Sequence, residues 1–207
     1  MKICETFRSI QGEGVTIGAV TFFIRTAGCN LSCSWCDTGY SKDGGYELSV
    51  SEITDLTKDE RNICVTGGEP LLQNGMIELL NVLLKNGKRI VLETNGSVDI
   101  SKVPVSKDLI ISMDIKCPSS GMSDRMLISN IAYLKGTDQL KFVIADGTDL
   151  EYAISFINSH KIVCTVILTP VGGMDIEPLA EEAIERGSDV RVLPQLHKII
   201  WGDRRGV

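Results

Sequence analysis

Asn62-Ile63-Cys64-Val65-Thr66-Gly67-Gly68-Glu69-Pro70 reads as a buried strand running straight into a glycine turn. Its apolar, β-branched start suits a strand covered on both faces. Two glycines at its end let the backbone turn sharply and approach a neighbour or ligand closely. Beyond it, Ile77, Leu80 and Leu84 recur at helical spacing, and Asn86-Gly87 reads as the helix stop. Arg89–Glu93 (RIVLE) is the next strand. Strand, helix and strand make a βαβ unit, whose two strands lie parallel.

The same rhythm continues in both directions. Thr21–Thr26, Leu109–Asp114, Gln139–Ile144, Val163–Leu168 and Asp189–Leu193 read as further strands. Asp124–Leu134, Asp149–Asn158 and Ile176–Arg186 read as helices, the last stopped by Arg186-Gly187. The pattern predicts an α/β fold in one domain, residues 1–207: a partial (β/α) barrel with a mostly parallel sheet. In such sheets function gathers at the C-terminal strand ends. The unusual segments fall there. CNLSCSWC comes after Thr26, GGEP after Thr66, Thr94-Asn95-Gly96 after Glu93, and KCPSSG after Asp114.

Composition narrows the function classes. Hydrophobic residues make up 43% and charged residues 23% of the 207, ordinary values for a globular protein with a substantial core. A net charge of −6 argues against a broad nucleic-acid surface. No apolar run is long enough to span a membrane. The start, MKICETFRSIQGEG, lacks the apolar stretch of a signal peptide. With seven cysteines, this predicts a reducing, cytoplasmic setting.

Cys29, Cys33 and Cys36 are spaced C-x3-C-x2-C. Three thiolates on one short loop are close enough to hold one metal centre. A four-iron cluster takes four ligands, so three local thiolates leave one iron open to a small molecule. The bland alternative is structural zinc, which usually takes four ligands from paired knuckles. The two histidines, His160 and His197, form no such knuckle. The spacing resembles that of the radical S-adenosylmethionine (SAM) superfamily. The resemblance implies a 4Fe-4S cluster on Cys29, Cys33 and Cys36, with SAM chelated at the open iron. It implies that an electron from the cluster breaks a C–S bond in SAM and releases a 5′-deoxyadenosyl radical. Cys4, Cys64, Cys117 and Cys164 share no ligand spacing, and Cys64 and Cys164 read as small apolar strand residues.

Gly67, Gly68 and Glu69 read alone as a glycine turn entering a helix. After a three-cysteine loop they resemble the superfamily segment that holds the SAM amino group. Thr94-Asn95-Gly96 reads alone as a turn, and in the superfamily setting lies beside SAM, with Thr94 facing the substrate. Lys116 is either a solvated charge or a group that reaches the SAM carboxylate or ribose.

The chain ends carry a narrower pattern. FRSIQGEG, FFIRTAGCNLSCSWCDT, ETNG, KCPSSG and RVLPQLHKIIWGDRRGV together resemble the 7-carboxy-7-deazaguanine synthases, over nearly the whole chain. The resemblance implies a radical SAM lyase of 7-deazapurine (queuosine or archaeosine) biosynthesis. Such a lyase converts 6-carboxy-5,6,7,8-tetrahydropterin to 7-carboxy-7-deazaguanine with loss of ammonia, assisted by Mg2+. Hydrogen is removed from C6, and SAM is regenerated. Mapped onto this sequence, Ile10, Gln11, Gly12 and Glu13 meet the pterin, and Arg25 pairs with its carboxylate. Thr94, His197 and the terminal carboxylate of Val207 are further substrate contacts. Thr38 is the Mg2+ ligand, beside Asp37. Trp35, Cys36, Asp37, Gly67, Gly68, Glu69, Gly96, Asp114, Ile115, Lys116, Leu168, Thr169, Pro170 and Val171 map to SAM contacts. The resemblance also implies a homodimer and a reductant such as flavodoxin or ferredoxin. An activase of glycyl-radical enzymes shares the cysteine spacing and similar length, but the chain lacks a CxxC-rich insertion. A zinc-binding module would leave GGEP, TNG and the βα rhythm unexplained.

Overall fold

The computed structural model describes residues Met1–Val207. Nine strands form one open sheet: β1 (Lys2–Ile10), β2 (Val20–Thr26), β3 (Tyr46–Glu47), β4 (Asn62–Gly67), β5 (Arg89–Thr94), β6 (Leu109–Ile115), β7 (Gln139–Ile144), β8 (Thr165–Pro170) and β9 (Arg191–Val192). Their order is β3-β1-β2-β4-β5-β6-β7-β8-β9. From β2 to β9 every pairing is parallel; β1 pairs antiparallel with β2 and with β3. The helices are α1 (Val50–Leu56), α2 (Met76–Lys85), α3 (Gly147–Ser159), α4 (Glu177–Glu185) and α5 (Leu196–Trp201). Local chemistry fixes their starts. Ser49 and Glu52 form a reciprocal capping box on α1, and the Asp146 carboxylate caps α3 by accepting from Asp149 N–H.

All seven expected strands are present, with β8 displaced about two residues along the chain from its expected position. Two further strands, β1 and β3, were not expected. β1 was not marked by its sequence, because it lies near the sheet edge and most of its residues are half-buried. β3 has only two residues. On α2 the fully buried stripe is Met76, Leu79, Leu80 and Leu83, with Ile77 and Leu84 flanking it. The helix expected over Asp124–Leu134 is replaced by two 3₁₀ turns, Ser123–Arg125 and Ile128–Tyr133. Buried Asn130 explains the change. Its amide donates to the Gly96 and Val98 carbonyls, and its oxygen accepts from Ile100 N–H. Those long-range bonds fix the segment against the loop after β5, where a regular helix would turn the amide away.

The strands are two-faced. Ile24, Ile63, Val65, Ile90, Leu92, Ile111, Met113, Leu140 and Phe142 belong to a continuous core of 29 buried residues under the helices. The alternate residues point to the other face. There Phe23, Cys64 and Val91 form a small apolar layer with Phe7 and Ile110, and the Phe7 and Phe23 rings stack 4.9 Å apart. One residue pair further along the strands, this inner face turns polar.

Candidate active site

The polar layer lines a cavity of about 610 Å3 at the C-terminal ends of the parallel strands. Arg25, Thr66, Glu93, Asp114 and Lys141 reach it from β2, β4, β5, β6 and β7. The end of β1 and the loop after it bring Ile10, Gln11, Gly12 and Glu13, and the C-terminal segment brings His197 and Val207. These two segments are joined: Leu196 N–H donates to the Gly12 carbonyl at 2.8 Å, and Gln195 donates to Glu13. The sheet therefore curls until segments following its first and last long strands meet across the inner face, as a partial barrel requires.

Cys29, Cys33 and Cys36 all face this cavity, and Cys36 is exposed. No group of three His, Cys, Asp or Glu side chains meets at single-ion distance. Three cysteines on one cavity wall are the donor set that a four-iron cluster with one open iron takes. Their loop is held from below by the Cys117–Gly121 segment. Ser34 N–H donates to the Ser120 carbonyl at 3.1 Å, and Ser34 Oγ to the Ser119 carbonyl at 2.6 Å. Trp35 Nε1 donates to Ser119 Oγ at 3.1 Å, so the indole is fixed edge-on. Lys116 Nζ sits 5.5 Å from its ring centroid. Burial pushes the Cys33 thiol up. A bound metal would reverse that by favouring the thiolate.

The glycines of the second loop are demanded by close packing. A Cβ on Gly68 would fall 2.1 Å from the Gly28 carbonyl oxygen and 2.8 Å from Cys29 Cβ. Gly67 has φ +142°, and a Cβ there would meet the Thr26 carbonyl oxygen at 2.4 Å. This backbone lies directly against the cysteine loop, and Gly67 and Gly68 line the cavity. Glu69 does something other than its residue type suggested. Its carboxylate is fully buried and accepts from Leu71 N–H, Thr94 Oγ1 and Asn95 N–H at 3.0, 2.9 and 2.7 Å. It ties the loop after β4 to the loop after β5 from behind the cavity wall. Burial pushes its carboxyl up, partly offset by those donors.

Four charges form a chain across the inner face. Lys116 Nζ pairs with Asp114 at 2.5 Å, Lys141 pairs with Asp114 at 3.3 Å, and Lys141 also pairs with Glu13. Burial would raise both carboxyls, but Lys116 and Lys141 hold Asp114 below the ordinary carboxylate range, and Lys141 does so for Glu13. Lys141 stands well above the usual lysine range, because Asp114, Glu13 and, further off, Glu93 more than offset its burial. Arg25 donates through Nε to Glu5 at 2.8 Å, which leaves its other guanidinium donors for a ligand. Tyr40 donates to the same Glu5 at 2.9 Å; burial, only partly opposed by Arg25, pushes its phenol up to about 12. The Arg205 guanidinium lies 3.8 Å over the Tyr40 ring and fastens the chain end to the cavity mouth.

The expected residues fall into two groups. Ile10, Gln11, Gly12, Glu13, Arg25, Cys29, Cys33, Trp35, Cys36, Asp37, Thr38, Gly67, Gly68, Thr94, Asp114, Lys116, Val171, His197 and Val207 line one cavity. Glu69, Gly96, Ile115, Leu168, Thr169 and Pro170 stand outside its wall. Ile115 and Leu168 are core residues, with side chains turned to the helical face by the strand alternation. Thr169 and Pro170 are buried in β8, and the loop bend begins only at Val171. Gly96 is a spacer with φ +78°, since a Cβ would lie 2.4 Å from the Asp114 carbonyl oxygen. Sequence reasoning missed Phe7, Tyr40, Lys141, Glu93 as a side chain, and Gln195. The readable signal for two of them was a charge inside an apolar strand, Glu93 in RIVLE and Lys141 in QLKFVI.

The model of the Radical SAM superfamily matches residues 23–121, which span the cysteine loop, GGEP, TNG and KCPSSG. With the parallel sheet, this defines a radical SAM protein, a class that implies SAM and a 4Fe-4S cluster. A 7-carboxy-7-deazaguanine synthase of Thermoplasma acidophilum is 42% identical over 209 residues, covering 100% of both chains. One of Methanospirillum hungatei is 46% identical over 204 residues, covering 97% of this chain and 85% of its own. The chain belongs to the 7-carboxy-7-deazaguanine synthase family. The crystal structure of QueE from Escherichia coli superposes with a TM-score of 0.76 at 23% identity, covering 95% of this chain and 94% of that one, and shares the fold.

Proposed function

We propose that this chain converts 6-carboxy-5,6,7,8-tetrahydropterin to 7-carboxy-7-deazaguanine with loss of ammonia, as a Mg2+-assisted radical SAM lyase. The single observation that carries the reading is the meeting of both chain ends with the cysteine loop around one cavity. Those ends hold the SIQGEG and QLHK segments that narrow the family.

When bound, SAM and the cluster supply a radical able to remove the hydrogen at the substrate C6. The chain's residues bind and orient. Cys29, Cys33 and Cys36 would hold the cluster, and the Gly67-Gly68 backbone, with Lys116 and Asp114, would hold SAM. The free guanidinium donors of Arg25 suit the two oxygens of the substrate carboxylate. Phe7 and Phe23 give the heterocycle an apolar floor. His197 packs its ring on the Gly12 backbone, where a Cβ would fall 2.0 Å from Nδ1, so it shapes the wall beside the substrate. Thr38 lies 3.8 Å from Cys36 Sγ and offers a hard oxygen beside the cluster. The substrate carboxylate would complete a Mg2+ shell there. Gly202–Val207 lies along the cavity mouth, and the Val207 carboxylate would accept from substrate N–H groups. Adding a few residues after Val207 should raise the substrate KM several-fold; an unchanged KM would make the tail structural only.

The test is anaerobic reconstitution, followed by SAM, a low-potential reductant, Mg2+ and the pterin. Product and ammonia should appear in equal amounts. If SAM is cleaved by the reduced protein yet the pterin stays intact, the substrate reading is wrong. Homodimerisation and a flavodoxin- or ferredoxin-type donor belong to the same proposal, and sizing chromatography and donor competition assays check them.

A further inference from the structure

Glu93 ends β5 on the inner face, within the same polar layer as Arg25 and Thr66. It differs from the other acids there. Glu5 pairs with Arg25, Glu13 with Lys141, and Asp114 with Lys116 and Lys141. Asp37 is exposed at the mouth, and Asp203 pairs with Lys198. Glu93 alone is half-buried and in no ion pair. Its hydrogen-bond partners are neutral, and Lys141 and Arg25 act on it only from further off: Thr66 Oγ1 donates to one oxygen at 2.8 Å, and Gln11 Nε2 to the other at 3.2 Å, with the Cys64 thiol beside them. Each carboxylate oxygen can accept more than one hydrogen bond. Glu93 is therefore held in place by one donor on each oxygen, with acceptor capacity left on both. A half-buried carboxylate left short of donors is costly, so the arrangement suits a ligand that brings N–H groups. Glu13 also has one donor on each oxygen, but one of them is the Lys141 ammonium, so its charge is already compensated.

We propose that Glu93 is a specificity-determining residue that accepts a hydrogen bond from the reduced ring N–H next to the carboxyl-bearing carbon, and so selects the tetrahydro form of the substrate. This rests on the functional reading above. Arg25 and Glu93 sit on strands separated only by β4, and Thr66 of β4 is paired in register with Arg25 and bonded to Glu93. A substrate whose carboxylate is clamped by Arg25 thus brings the adjacent N5 towards Glu93. In the tetrahydropterin N5 carries hydrogen. In the aromatic, fully oxidised 6-carboxypterin the same nitrogen has only a lone pair, which a carboxylate repels. A glutamine side chain in place of this glutamate would offer a donor and lose the charge, and the preference should reverse.

The experiment compares wild type with Glu93→Gln at matched cluster content, both carrying SAM. Affinity for 6-carboxypterin is read from quenching of the pterin's own fluorescence, and KM is measured for the tetrahydro substrate. Glu93→Gln should bind the oxidised pterin several-fold more tightly and raise the KM for the reduced one about tenfold, the loss expected for one charge-assisted hydrogen bond. Wild type itself should bind the oxidised pterin far more weakly than the reduced one, which tests the proposal without any variant. If both forms bind wild type equally, or if Glu93→Gln weakens both alike, the assignment is overturned. Wild type that turns over no pterin at all removes the functional reading beneath it; wild type that is active while Glu93→Gln keeps native preference removes only Glu93.

Discussion

The two faces of strands β4 to β7 share one backbone and do opposite things. On the helical face the alternating residues are Ile63 and Val65, Ile90 and Leu92, Ile111 and Met113, Leu140 and Phe142. On the inner face the matching positions are Cys64 and Thr66, Val91 and Glu93, Ser112 and Asp114, and Lys141. The first set is hydrophobic volume, and the second is polar or ionic at its last step on each strand, Thr66, Glu93, Asp114 and Lys141. Burial of the helical face supplies most of the driving force for the sheet. The inner face carries the buried charges Asp114, Lys116, Lys141 and Glu13, which stand because they pair with each other, and the unpaired Glu93. A strand period of two lets one sequence do both, so fold and site are separable by substitution.

The largest effect should come from the proposed cluster ligands on the loop after β2, which borders the inner face. Cys33→Ala should abolish cluster loading and SAM cleavage, while Cys164→Ala, just before β8, should leave both intact; the cluster absorption band checks this. Normal absorption in Cys33→Ala would break the distinction at its strongest point. On the other face, Leu92→Ala should cost about 2–5 kcal/mol of stability by opening a cavity. Activity per folded molecule should stay near wild type, as denaturant unfolding and a specific-activity assay would show. A lost activity at full stability would mean the faces are not independent.

Smaller effects sharpen the inner face itself. Thr38→Ala should slow turnover several-fold and blunt the response to Mg2+, with the cluster unchanged; a full Mg2+ response in this variant would remove Thr38 from the metal site. Asp114 tests the charge chain by pH. Its folded value lies below the unfolded one, near 3.9, so its contribution to stability is present above about pH 4 and fades as pH falls through the folded value. Asp114→Asn should therefore show a shallower loss of stability on acidification, read from melting temperature against pH. An identical acid limb would mean the pairing with Lys116 and Lys141 contributes nothing.

How much of this the sequence disclosed follows the same division. The long parallel strands were legible because a fully buried strand is a continuous apolar run. β1 was not, since a strand near the sheet edge keeps half its residues wet and loses that signal. The Asp124–Leu134 segment misled because its shape is set by Asn130 bonding to a distant loop. In the site, the cysteine spacing and the paired glycines were readable because they serve local geometry. Glu69 was readable as a residue but not in its role, because only the fold shows Thr94 and Asn95 closing around its carboxylate. Leu168, Thr169 and Pro170 were assigned by alignment along β8; alternation turns Leu168 to the helical face, while Thr169, level with cavity-lining Val143, is on the inner face but buried. Lys141 and Gln195 lie far from Glu13 in sequence and reach the cavity only when the fold brings Glu13 to them.

The most direct measurement of the central claim is the ratio of product to SAM consumed by the reconstituted enzyme with the tetrahydropterin, Mg2+ and reductant. The inner face as described should yield many molecules of 7-carboxy-7-deazaguanine for each SAM lost, each accompanied by one ammonia. Absence of that product, or one SAM destroyed for every product made, would contradict it.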